Sequence, residues 1–119
     1  MRMPAHPWLC NPDGRVYGGT TASFAHDAMS AAVASTLPKA TSYATLDLTV
    51  NFVRPIPADG SYLHARARIV HRGRTFAVAA AEVVNSDDKT VATASGSWIV
   101  LPGRPVPGRP EFAREFPDA

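Results

Sequence analysis

The sequence predicts an α+β domain in which one long helix is wrapped by a curved antiparallel sheet, and three observations carry that prediction. Residues Gly18 to Leu37 are mostly small or apolar, with two glycines at the start and Pro38 just beyond the end, which is the punctuation of one helix. Between Thr41 and Leu101 apolar and polar residues alternate, with turn residues at regular intervals, which is the pattern of strands. Apolar positions run nearly all round the helical segment, as they do where a curved sheet wraps a helix.

Each element follows from local chemistry. Trp8 to Tyr17 holds an Asn11-Pro12-Asp13-Gly14 turn between two short extended pieces. Gly18-Gly19 then open the helix, whose twenty residues at 1.5 Å each make a rod of roughly 30 Å. Tyr43 to Val53 is rich in Thr, Val, Leu and Phe and stops at Pro55, which has no N–H for a ladder. Ala58-Asp59-Gly60 is a turn. In Tyr62 to His71, Leu63, Ala65, Ala67 and Ile69 share one face, and His64, Arg66, Arg68 and Val70 the other. Arg72-Gly73-Arg74 reverses the chain into Thr75 to Val84, and Asn85 to Asp88 turn it again into Thr90 to Leu101. Four consecutive antiparallel strands result. From Pro102 onward five prolines alternate with Gly, Arg and a few acids, so residues 1–101 are expected to form the domain and 102–119 a Pro-rich tail.

Composition narrows the function. At 119 residues one core and one domain are expected. A content of 45% hydrophobic and 18% charged residues is too apolar for a disordered chain, and no apolar run is long enough to span a bilayer. The net charge of +2 is no nucleic-acid footprint, and aromatic residues are not interleaved with the arginines as base-stacking platforms. Cys10 stands alone, excluding an intrachain disulfide framework. It has no helix dipole or flanking base to activate it as a nucleophile. His6, His64 and His71 form no close-spaced ligand motif, so no metal is expected. No secretory leader pattern is present, and the expected compartment is the cytoplasm.

Three motifs resemble one family. Asn11 to Gly19 (NPDGRVYGG) looks like the entry to the central helix in phenylacetate-pathway (PaaI-like) thioesterases of hotdog fold. Thr45 to Pro55 (TLDLTVNFVRP) and Val70 to Arg74 (VHRGR) are similar to two strands of that family, in the same order. The resemblance implies a hotdog-fold acyl-CoA thioesterase that releases a free acid and coenzyme A without a cofactor. It also implies a homodimer, doubling to a homotetramer, with sites at the interface. Relative to that family the chain starts late, with about ten residues ahead of the Asn-Pro turn. An open flank of the acyl pocket is the expected result.

The residues suit that chemistry. A helix start carries free N–H groups and about half a positive charge, and Gly18-Gly19 would let a thioester carbonyl approach it as an oxyanion hole. Two glycines also serve simply as a tight turn. The family's catalytic carboxylate lies nine residues after the histidine of its His-Gly-Gly motif. Tyr17 takes that histidine's place here, and nine residues on stands His26. His26 is a general base in one version, since imidazole titrates near ~6.5. In the other, a local distortion brings Asp27 into the site. A hydrogen-bonded core or interface histidine is the structural alternative. Asn11 matches a family position near the thioester, and Thr45 one whose hydroxyl orients the attacking water; each also fits a turn or a strand. Arg54, Arg72 and Arg74, with Gly73 between the last two, are the expected contacts to coenzyme A phosphates, Tyr17 joining the substrate contacts. Arg66 and Arg68 are equally well a solvated strand face. Phe24, Met29, Phe52 and Trp98 suggest an apolar lining. A non-catalytic acyl-CoA binder and, less favoured, a hotdog dehydratase or hydratase are the competing functions.

Overall fold

Helix α1 spans Gly18–Ala34 in the computed structural model, which describes residues 1–39 and 41–105. It stops short of Leu37 for a local reason. Leu37 precedes a proline and is pushed out of helical geometry, so Thr36 N–H and Leu37 N–H close back three residues, to Val33 O and Ala34 O at 3.0 and 3.1 Å. The hydroxyl of Ser35 satisfies one more carbonyl, Ala32 O, at 2.6 Å, and that of Thr36 adds a second hydrogen bond to Val33 O at 2.7 Å.

Five strands form one antiparallel sheet: β1 (Arg2–Pro4), β2 (Thr41–Phe52), β3 (Tyr62–Arg72), β4 (Phe76–Val84) and β5 (Thr90–Pro105), in the order β1-β3-β4-β5-β2. The four long strands appear within a residue or two of expectation, except that β5 runs through Pro105 into the segment read as tail. Residues 106–119, the rest of that segment, lie outside the described residues. β2 does not sit beside β3; it pairs with β5 at the opposite side of the sheet. The connection 53–61 therefore crosses the open end of the sheet at the start of α1. It is tied there by Val16 N–H to Ile56 O and by Val53 N–H to Val91 O, at 2.8 and 2.9 Å. In the turn that follows, the Ser61 hydroxyl and backbone N–H both donate to Asp59, holding its carboxyl below the ordinary 3.8.

The helix buries Thr21, Phe24, Ala25, Ala28, Met29 and Val33, a single stripe at three- and four-residue spacing. The curved sheet wraps α1 as expected, chiefly through β3 and β4, and leaves the outer side of the helix uncovered. The outer side carries Ser23, Asp27 and Ala31, small or polar residues whose exposure costs little. Beneath the helix, Met29, Val33, Leu63, Val83, Val91, Trp98 and Val100 are fully buried; each large side chain contributes about 1.5–3 kcal/mol. Ala77, Ala79, Ala81 and Ala92, also buried, keep the sheet surface low enough for the helix to seat.

β2 contains a bulge. Thr45 pairs with Trp98 and Asp47 with Ser97, so Leu46 is an extra residue without a partner. That insertion turns Thr45 inward beside Trp98 and Asp47 outward to accept a hydrogen bond from Ser97 Oγ. Without it both would face the same side.

Candidate active site

Three groups of predicted residues emerge, and one chain does not bring them together. The first surrounds the start of α1. Tyr17 is the N-cap and makes no side-chain cap, leaving the first helical N–H groups without helical acceptors. Beside them lies a cleft of about 290 Å³ lined by Asn11, Arg15, Gly18, Phe52 and Arg54 among others. The crossover connection builds one wall of it through Val53, Arg54, Pro55 and Ile56. A Cβ on Gly19 would meet nothing, so this side of the turn is open. Gly18 is covered by the Phe52 ring, 3.2 Å from where its Cβ would be. Asn11 acts structurally, its Oδ1 accepting from Asp13 N–H and Arg15 N–H at 3.0 and 3.2 Å and so fixing the turn ahead of the helix. Tyr17 is half-exposed and does not line the cleft.

The second group lies midway along α1, on its outer flank, and on β2. His26 Nε2 and Thr45 Oγ1 are 2.7 Å apart, and Ser30 Oγ stands 3.5 Å from the same nitrogen. Asp27 Oδ1 is 3.7 Å from His26 Nδ1, with the Asp27 side chain 69% exposed against 30% for His26. The imidazole stacks on Trp98, ring centroids 5.9 Å apart and planes at 27°. An imidazole held at its Nε2 edge and on one face can exchange a proton with an oxygen at that edge. Trp98 is fully buried, and its Nε1 has no hydrogen-bond partner among the described residues.

The third group sits at the other end of α1. Arg72 Nε donates to Thr36 Oγ1 at 2.9 Å and Arg72 Nη1 to Gly73 O. Arg72 and Arg74 line a cleft of about 400 Å³ with Pro38, Thr41, Val100 and Pro102. A Cβ at Gly73 would sit 3.2 Å from His71 Nε2 and 3.3 Å from Phe76 O, a tight fit for any larger residue. Arg54 is at the opposite end, donating to Thr90 O at 2.6 Å. Arg66 is occupied by Asp88 and Glu82, at 2.5 and 3.6 Å, on the outer face that Arg68 shares; it is the solvated strand residue. Phe24 and Met29 belong to the core, leaving Phe52 as the lining residue of the helix-start cleft.

Sequence reasoning passes over Ser30 and Arg15 and takes Trp98 as lining only. Ser30 is within its reach: four residues after His26, it shares that helix face. The Trp98 stack depends on strand pairing and has no local signature.

Known proteins share this arrangement of helix and sheet. A family model described as the thioesterase superfamily matches residues 13–92. A candidate esterase of Halobacterium salinarum is 38% identical over 112 residues, 85% of this chain and 72% of its own length. A Bacillus halodurans protein whose crystal structure was solved with CoA matches at a TM-score of 0.79 and 38% identity, covering 84% of this chain and 69% of that one. The Escherichia coli PaaI protein from the phenylacetic acid degradation operon matches at a TM-score of 0.79 and 28% identity, covering 88% and 72%.

Proposed function

The chain belongs to the thioesterase superfamily and has its hotdog fold, and from that premise we propose that it hydrolyses an acyl-CoA thioester to a free acid and coenzyme A. The observation that carries the reading is the uncapped, glycine-led start of α1 opening on a cleft. Free N–H groups there suit the oxyanion of a tetrahedral intermediate, an interaction worth about 3 kcal/mol of barrier. His26 is the base: Nε2 takes the proton of the attacking oxygen and returns one to the departing thiolate. Every step is assigned to side chains, backbone and water, so no cofactor is called for.

Two copies are needed. His26 stands eight residues, about 12 Å, along α1 from Gly18. The Arg54 and Arg72–Arg74 groups lie at opposite ends of a 17-residue helix, about 25 Å apart. β2 is an edge strand whose inward Leu48 and Phe52 remain 39% and 54% exposed, an edge that invites pairing. Antiparallel pairing of β2 with its own copy, centred near Leu48, would set the Thr45 end of one strand toward the Phe52 end of the other, and so His26 toward the second copy's helix start. The reading is therefore a homodimer, or a tetramer of two such dimers, acting in the reducing cytoplasm where Cys10 stays free. The PaaI and CoA-bound relatives support coenzyme A as the carrier.

Thiol release from phenylacetyl-, benzoyl- and medium-chain acyl-CoAs, by wild type, His26→Ala and Asp27→Asn, tests this. Turnover that falls roughly 10²- to 10⁴-fold in His26→Ala is the expected result. Acyl-CoA binding without thiol release from any substrate would make the protein a binder, and loss of enoyl-CoA absorbance without thiol release would make it a hydratase.

A further inference from the structure

We infer that the first attacking oxygen is Thr45 Oγ1, so that the reaction passes through an acyl-threonine ester; this rests on the thioesterase reading. The geometry is that of a nucleophile beside a base: Thr45 Oγ1 is 2.7 Å from His26 Nε2, while Asp27 Oδ1 stands 3.7 Å from His26 Nδ1, beyond hydrogen-bond distance. In the tautomer protonated at Nδ1, Nε2 accepts from the Thr45 hydroxyl across that 2.7 Å contact. Ser30 Oγ is farther from Nε2, at 3.5 Å. A water placed between Thr45 and His26 would have to break the direct contact.

Two independent features aim Thr45. The bulge at Leu46 turns it to the inner face, where its register partner is Trp98. Trp98 in turn stacks against the imidazole.

Acyl transfer and hydrolysis together conserve every proton. Thr45 Oγ1 bonds to the thioester carbonyl carbon while its proton passes to His26 Nε2. The carbonyl π pair moves to oxygen and is held at the helix start of the second copy. When that pair returns, the carbon–sulfur bond breaks, and the thiolate takes the proton from His26. Water then attacks the threonine ester, its proton passing to His26. The ester's carbon–oxygen bond breaks, Thr45 Oγ1 recovers its proton, and the free acid leaves.

The test uses the full-length protein with the CoA, pantetheine and N-acetylcysteamine thioesters of one accepted acyl group, in buffer containing methanol. Methanol competes with water for a threonine ester to give the methyl ester. A common acyl-enzyme predicts the same ratio of methyl ester to acid from all three thiols. Thr45→Val keeps the β-branched shape suited to a strand, and circular dichroism checks its fold. A constant ratio together with more than about a tenfold loss of turnover in Thr45→Val is the expected result. A ratio that changes with the thiol, or turnover within about tenfold of wild type in Thr45→Val, overturns acyl transfer to Thr45 while leaving the thioesterase reading intact. Absence of thiol release from every thioester overturns the reading itself.

Discussion

Gly96→Ala is expected to damage both stability and turnover, and the reason can be worked from three distances. An added Cβ would lie 2.9 Å from Trp98 Cη2, 3.1 Å from Trp98 Cζ3 and 3.0 Å from the carbonyl oxygen of Asp47. None of these neighbours yields easily: the indole is fully buried and the carbonyl belongs to the strand bulge. Overpacking of this kind costs about 1–3 kcal/mol, which for a domain of this size is a fall in Tm of roughly 4–12 °C. The indole also backs the His26 ring, so thiol release by the fraction still folded should drop as well. Trp98→Phe opens a small cavity, removes the unpartnered Nε1–H and withdraws the atoms nearest the new methyl. In the double variant the two costs should sum to less than the singles by about 1 kcal/mol, with part of the strain against Asp47 O retained. Urea denaturation of the four proteins measures this. A Gly96→Ala cost below about 0.5 kcal/mol, or simple additivity in the cycle, would refute the packing argument.

Leu48→Arg places a charge on the uncovered inner face of β2 and should give a monomer with little or no thiol release, read by sedimentation and by turnover together. Arg72→Ala and Arg54→Ala should each raise KM for the CoA thioester several-fold with kcat nearly unchanged, and the effect should vanish for the pantetheine thioester, which lacks the nucleotide phosphates. Arg66→Ala, its charge already matched by Asp88 and Glu82, should leave KM unchanged. Ser61→Ala should raise the Asp59 carboxyl toward its ordinary 3.8. A lowered carboxyl stabilises above its unfolded value and loses that contribution as pH falls through the depressed one, so wild type should lose this turn's support only at more acidic pH than the variant, as a carboxyl-carbon NMR titration would show.

Most of the fold is legible in the sequence because its signals are local. The alternation in 62–71 places Leu63 and Ala65 inside and Arg66 and Arg68 outside, as found, and Pro55, Gly60 and Gly73 fall between strands, whereas β5 runs on through Gly96 and Pro102. The order of strands is harder, since nothing within Tyr43 to Val53 says whether its partner is the next strand or the last. The helix stripe is obscured by alanines, which suit either a buried or an exposed face. In the site, His26 and Thr45 can be singled out by motif position, but their contact requires β2 to lie beside β5 and Leu46 to bulge, and no glycine or proline announces that bulge. Asn11 illustrates the opposite case: a motif residue whose side chain is occupied in holding the turn. The three arginines can be read as one phosphate-binding set only because a linear sequence hides the length of the helix between them.

The bulge at Leu46 also makes this strand sensitive to counting in a way that side-chain chemistry is not. Ahead of it Tyr43 and Thr45 point inward; beyond it the even-numbered Leu48, Val50 and Phe52 do, by their partners in β5. One residue changes the parity of the strand. Removing Leu46 would leave every remaining side chain chemically intact, yet either the hydroxyl at 45 or the apolar set at 48, 50 and 52 would have to turn to the opposite surface. A library of substitutions would score position 46 as permissive, while a single-codon deletion there would separate the hydroxyl from its imidazole.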